Sequence, residues 1–260
     1  MSIDTSTTIR DLALASPGAT RVFEKFRIDY CCGGEQSLYD ACQSANLSMG
    51  EVLQALEEEE TRAFAPGQFR DWRNESLAKI AAYIVKTHHT FTKSELERIA
   101  SLIEKVHARH RVNHSELNNI KQLFGHLKLD LVPHMLKEEQ VLFPYLEQME
   151  QAICLRCSLP QPFFGTVQNP VRMMRIEHDT AGDLLRQIRS ITREYAVPED
   201  ACTSYKLLYQ ALEALEADLH QHIHLENNIL FPRAIEMESS AAPDRQNAIN
   251  ADCERSFCGH

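Results

Sequence analysis

The chain carries the pattern His-x-x-x-Glu followed by Leu-Phe-Pro twice, and this repeat constrains its fold more than any other feature. The first copy runs from His134 through Glu138 to Leu142-Phe143-Pro144, and the second from His222 through Glu226 to Leu230-Phe231-Pro232. A spacing of four puts imidazole and carboxylate on one helix face, about one turn apart. Two such helices packed face to face would aim two His and two Glu at one interior point. The repeat extends upstream, since His88 precedes His134 by 46 residues and His178 precedes His222 by 44. Each half then reads as a helical hairpin, with one His on its first helix and a His/Glu pair on its second. Two hairpins make an antiparallel four-helix bundle, whose core is a common place for a metal site. The six inward residues are expected to be His88, His134, Glu138, His178, His222 and Glu226.

The residues flanking the first pair favour burial. Val132, Met135, Leu136, Val141, Leu142 and Phe143 are read as lying on the ligand side of the helix. Imidazole and carboxylate buried among them without a counter-charge would cost several kcal/mol per charge, a cost that a bound cation removes. Four imidazoles and two carboxylates argue against a cysteine-built structural zinc site and offer too few oxygens for calcium. If Glu138 and Glu226 each bridge two metals, every metal receives two imidazoles and two carboxylate oxygens. Positions stay open for an oxo or hydroxo bridge, water or a diatomic ligand. Carboxylate-bridged pairs in bundles favour iron or manganese, and imidazole tilts the balance to iron. A di-zinc site stays open on affinity ordering alone.

Composition agrees with a helical protein. The 260 residues are 43% hydrophobic and 7% aromatic, with only nine Gly. The formal net charge of −10 argues against nucleic acid as a partner. No run of about 18 apolar residues is present and the first residues lack a basic, apolar signal segment, so the expectation is a cytoplasmic protein without a membrane partner. Eight Cys in such a chain are expected to be thiols in a reducing compartment.

Punctuation divides the chain into four parts. Residues 1–62 read as a small helical cysteine-containing unit with helices near 8–15, 19–26, 38–46 and 49–59. Residues 63–75, with Pro66-Gly67, read as a linker, 76–238 as the bundle, and 239–260 as a flexible tail. In the bundle, helix A is expected over 76–108. Helix B should open at Asn113 as N-cap with Glu116 three residues on, helix C at Asn169-Pro170, and helix D near 199. Pro144 and Pro232 should kink their helices just past each ligand pair. His220 and His224 lie roughly 200° round the helix from His222 and are expected at the surface, as are His110 and His114. Cys42 and Cys202 are read as packed, while Cys154-x-x-Cys157 and the tail residues Cys253, Cys258 and His260 carry weak chelating signals.

Taken together these residues resemble the RIC (repair of iron centres) family of di-iron proteins, which have a hemerythrin-like bundle and an ScdA-type N-terminal domain. The resemblance rests on Asp29-Tyr30-Cys31-Cys32-Gly33-Gly34, Asp71-Trp72, His88, Val106-His107, His134 through Pro144, Glu177-His178-Asp179 and His222 through Pro232. It implies an all-α fold in which the six residues above ligate two non-haem iron ions per chain, oxo- or hydroxo-bridged. It adds His107 and Glu177 near the centre, Glu177 orienting a ligand or lining a channel. Cys31 and Cys32, before a Gly pair, suit thiol redox chemistry or iron handling. The implied function is repair of iron–sulfur clusters damaged by nitrosative or oxidative stress. Iron would be donated to damaged iron–sulfur proteins, or nitric oxide reduced with electrons from an external reductant; the donor role is favoured over a dedicated turnover enzyme. The alternative is a non-enzymatic sensor or store of dioxygen, nitric oxide or iron. The Pro-Gly linker allows a homodimer.

Overall fold

A computed structural model describes residues 4–61 and 72–241, and these are helical throughout their regular elements. Four short helices come first: α1 (Ile9–Ala15), α2 (Pro17–Phe26), α3 (Leu38–Ser44) and α4 (Met49–Thr61). Thr8 and Ser37 cap α1 and α3 by accepting from the Asp11 and Asp40 amides, and Pro17 opens α2, where its missing N–H costs nothing. Ile9, Phe23, Tyr30, Leu38, Val52 and Leu56 form the core of this unit.

The bundle follows. Helix A consists of α5 (Leu77–Ile84), a π-helical turn (Val85–His89) and α6 (Thr90–His110). Helix B consists of α7 (Glu116–Lys137), a π turn (Glu138–Leu142) and α8 (Phe143–Cys154). Helix C is α9 (Gln168–Ile191), and helix D is α10 (Thr203–Leu225), a π turn (Glu226–Leu230) and α11 (Phe231–Ala241). Helix α7 packs against α6 and α9, and α6 against α10. This is the antiparallel four-helix arrangement expected, preceded by the small helical unit.

Several local expectations are corrected. Ser115, not Asn113, precedes α7, and its side chain makes no capping bond. Helix C starts at Gln168, with Asn169 turned back to donate to the Phe164 carbonyl. Pro144 and Pro232 each follow a π turn and stand in the first turn of α8 and of α11. A proline lacks the N–H that an unbroken α-helix needs, and a local wide turn accommodates that loss. The tail expected from 239 begins no earlier than 242, because α11 reaches Ala241. The linker over 63–71 and the tail residues Cys253, Cys258 and His260 lie outside the described residues. Val132 and Leu136 are about half exposed, whereas Met135, Leu142 and Phe143 are buried.

Two apolar layers fill the bundle. One gathers Leu96, Ile99, Ile103, Phe124, Leu127, Leu212 and Leu215; the other gathers Ile80, Ile84, Leu142, Leu146, Leu230 and Phe231. Each such side chain contributes about 1.5–3 kcal/mol on full burial. The polar residues of the repeat lie between these layers.

The N-terminal unit docks on helix D. The Tyr30 ring lies 5.3 Å from His224 and 6.2 Å from His220, and Glu24 pairs with His220 at 2.9 Å. Asn227 and Asn228 donate to the carbonyls of Cys31 and Tyr30, at 3.2 and 2.9 Å. His220 and His224 thus face away from the bundle interior, as the helical angle requires. They are not surface residues, because the N-terminal unit covers them.

Candidate metal centre

His134, Glu138, His178, His222 and Glu226 come together at the bundle centre, and the fourth imidazole there is His89 rather than His88. Two groups form: His89, Glu138, His222 and Glu226, and His134, Glu138, His178 and Glu226. Both carboxylates belong to both groups, and all six side chains are 0–2% exposed.

The exchange of His88 for His89 follows from the π turn. The buried stripe of α5 runs Leu77, Ile80, Ala81, Ile84, and a four-residue step from Ile84 would point at 88. A π turn advances by five residues, so the stripe continues at His89. His88 is buried too, but it turns towards α10, where its Nδ1 lies 3.0 Å from Asp218 Oδ1 and its ring stacks on His222 at 5.6 Å. His107 is also outside the centre. It stands eighteen residues beyond His89 on helix A, about 27 Å along the axis, and its Nε2 pairs with Asn118 Oδ1 at 2.8 Å.

The geometry at the centre is that of converging lone pairs. His89 Nε2 and His222 Nε2 are 3.2 Å apart, and His134 Nε2 and His178 Nε2 are 3.1 Å apart. Glu138 Oε2 lies 3.3 Å from His89 Nε2 and 3.4 Å from His134 Nε2. The two Glu226 oxygens divide between the pairs, Oε1 at 3.0 Å from His222 and Oε2 at 3.1 Å from His178. Metal–nitrogen bonds of about 2.1 Å place neighbouring donor atoms at about this spacing. Both Glu138 oxygens, Glu226 Oε2 and His222 Nδ1 are buried without a hydrogen-bond partner. Orphaned carboxylate oxygens at the centre of a bundle are costly, and cations between the imidazole pairs would satisfy those oxygens. The donor set therefore fits a carboxylate-bridged pair of ions.

Protonation leads to the same conclusion. Burial and the charge of Glu226 push Glu138 up to about 8. Burial opposes ionisation of Glu226 as well, but His222 and His178 outweigh it and hold that carboxyl well below the usual range. Burial brings His222 down to about 4. His178, despite burial, is drawn up to about 9 by Glu226. Identical residue types in one cluster are driven in opposite directions, because two carboxylates cannot share a dry interior without positive charge.

An outer ring of partners orients the imidazoles. Glu139 Oε1 lies 2.7 Å from His89 Nδ1 and accepts from Lys93 Nζ at 2.6 Å. Glu177 Oε2 lies 2.8 Å from His134 Nδ1, and its other oxygen accepts from Lys137 Nζ. Asn227 Oδ1 accepts from His178 Nδ1 at 3.0 Å. Holding Nδ1 as donor leaves the Nε2 lone pair facing the centre. Glu177 is thus placed to orient the His134 ring. Sequence reasoning missed His89, Glu139, Lys93 and Asn227 as functional positions. One signal was available: His89 precedes His134 by 45 residues, nearer than His88 to the 44 of the second half.

Cys31 and Cys32 lie at the domain junction. Their sulfurs are 3.8 Å apart, and the Asp29 carboxylate accepts from both backbone amides, at 3.1 and 2.9 Å. The Cys32 sulfur, burial and Asp29 together hold the Cys31 thiol well above its ordinary value. The Cys31 thiolate is thereby disfavoured. Its carbonyl accepts from Asn227, whose other end holds His178, so one amide side chain separates the cysteine backbone from the centre.

Residues 80–234 match the family model described as the hemerythrin HHE cation binding domain, and residues 5–60 match ScdA_N, described as a domain of unknown function (DUF542). The chain is 34% identical over 225 residues to the iron-sulfur cluster repair protein YtfE of Edwardsiella ictaluri, covering 86% of this chain and 95% of that one. It is 33% identical over 227 residues to the probable iron-sulfur cluster repair protein of Haemophilus influenzae, covering 87% and 96%. A third relative, YtfE of an Escherichia coli O17:K52:H18 strain, is 35% identical over 225 residues, covering 86% and 94%.

Proposed function

Because this chain belongs to the family of iron–sulfur cluster repair proteins built on the hemerythrin HHE cation binding domain, we propose that it restores iron–sulfur clusters damaged by nitric oxide or peroxide. The observation that carries this reading is the sharing of Glu138 and Glu226 between two buried His pairs. His89 and His222 would hold one iron ion, His134 and His178 a second, and both carboxylates would bridge them. Bound there, the pair would supply redox chemistry, open positions for nitric oxide or dioxygen, and iron that can pass to a damaged cluster.

The chain's own residues prepare that chemistry. Glu139 and Glu177 keep the proton on Nδ1 of His89 and His134, and Lys93 and Lys137 balance their charge. The apolar layers on either side exclude bulk water, which strengthens each charge interaction inside. Cys31 and Cys32, at the junction between the N-terminal unit and helix D, would aid iron release or reduction. No helix among the described residues is long and apolar enough to cross a membrane, and the proposed setting is the reducing cytoplasm.

The test is transfer. Iron-loaded protein is incubated with an iron–sulfur enzyme whose cluster has been destroyed by nitric oxide, with a thiol reductant and a sulfide source. Repair predicts that the target regains its cluster while this chain loses a matching amount of iron. The near-complete burial of all six side chains favours a second reading, a sensor or store. That reading predicts retention of iron through repeated nitric oxide binding, with no recovery of the target.

A further inference from the structure

A second set of ligating side chains meets at the far end of α6, where the turn into α7 approaches the start of α10. His110 is the last residue of α6, His114 stands two residues before α7, and Asp200 and Cys202 lie just before Thr203. One nitrogen of each imidazole and one Asp200 oxygen lie within 4.8 Å of one another. His114 Nε2 is 3.0 and 3.1 Å from the two Asp200 oxygens, and His110 Nε2 is 3.2 Å from Cys202 Sγ. Donor atoms sharing a cation, with bonds of about 2.0–2.3 Å, stand roughly this far apart.

The other side of His114 is an independent indication. Its Nδ1 lies 2.8 Å from Glu116 Oε1, and the Tyr205 hydroxyl donates to the same oxygen at 3.3 Å. A carboxylate on Nδ1 holds the proton there and turns the Nε2 lone pair towards Asp200. Lone pair and carboxylate are both acceptors, so a second proton or a metal ion must lie between them. The His110 ring, 6.1 Å from that of His114, brings a second imidazole to the same place, which suits an ion better than a proton. The fully buried Tyr205 forms the floor, its ring 5.4 Å from His110 and 5.2 Å from His114.

We propose that His110, His114 and Asp200 form a second, structural site for a divalent cation. Its nitrogen and oxygen donors suit zinc best. Binding ties the α6–α7 turn to the segment leading into α10, while Cys202 partners His110 from outside the ligand set. The site lies about 30 Å along helix A from His89 and shares no residue with the central cluster, so its occupancy is read separately from iron.

Full-length protein already loaded with iron is titrated with zinc, and in parallel with cobalt as an optical probe. One further equivalent should bind and survive dialysis. The cobalt form should show tetrahedral absorption. His114→Gln with Asp200→Asn should weaken that equivalent at least about tenfold while iron content and helical signal stay unchanged. Cys202→Ser should retain the equivalent. The proposal is overturned if the iron-loaded chain takes up no further equivalent, or if the equivalent persists in the His114→Gln, Asp200→Asn variant.

Discussion

His89 Nε2 lies 3.2 Å from His222 Nε2, two ring nitrogens facing each other across the dry centre of the bundle. Only a shared proton or a cation can sit between them, and the neighbouring Glu138 and Glu226 oxygens make the cation the better occupant.

That contact separates two adjacent histidines. His89→Ala should reduce bound iron from two per chain towards one, because it removes a direct donor. His88→Ala should leave both ions in place and lower stability by about 2–3 kcal/mol through lost packing and an orphaned Asp218. Iron analysis and thermal unfolding of the two variants check this, and iron loss in the His88 variant would reverse the assignment.

Glu177 acts through His134. Its carboxyl is held down to about 2, first by the bond to His134 and then by Lys137, against burial. Glu177→Gln keeps the shape but weakens the hold on Nδ1, and metal affinity should fall about 10–100-fold. Competition with a chelator measures the change, and unaltered affinity would reduce Glu177 to a surface partner of Lys137.

Removal of one of the two shared carboxylates should have opposite effects on metal and fold. Glu138→Leu should lower iron content while leaving the iron-free chain as stable as before, or up to about 2 kcal/mol more so. Denaturant unfolding of the iron-free chain gives the second number. Full iron retention in both Glu138→Leu and Glu226→Leu would refute bridging.

Cys31→Ala with Cys32→Ala should leave iron content intact, since the bundle supplies every donor at the centre. Cluster transfer to a damaged target should slow. Loss of iron in this double variant would make the thiols part of the site.

Glu216 sets a pH dependence away from the centre. Burial raises its carboxyl above the ordinary value, against the pull of Arg189 and of the Tyr195 hydroxyl 3.0 Å away. Between the ordinary and the raised value, the folded chain keeps a proton that the unfolded chain has lost. The stability it contributes is complete below the ordinary carboxylate value and is lost as pH rises through the raised one. The melting temperature of the wild type relative to Glu216→Gln should therefore fall from about pH 4 to pH 7. A difference that is flat or grows with pH would contradict this.

The fold was legible because His-x-x-x-Glu repeats at near-equal spacing and apolar residues recur at helical period, which together leave few arrangements besides two packed hairpins. The fourth imidazole was not, since a π turn shifts facing by one residue and leaves no mark in a pattern counted at α spacing. His88 and His89 are both buried, and only the five-residue step from Ile84 distinguishes them. His220 and His224 were placed on the correct side of helix D, but docking of the N-terminal unit depends on contacts such as Asn228 to Tyr30, between residues nearly two hundred positions apart. Such pairings cannot be read from local periodicity.

The most direct measurement is anomalous scattering at the iron edge from crystals of the iron-loaded chain. The account predicts two peaks, one within about 2.0–2.3 Å of His89 and His222 and one equally near His134 and His178, with Glu138 and Glu226 touching both. A single peak, or a peak bound by His88 in place of His89, would contradict it.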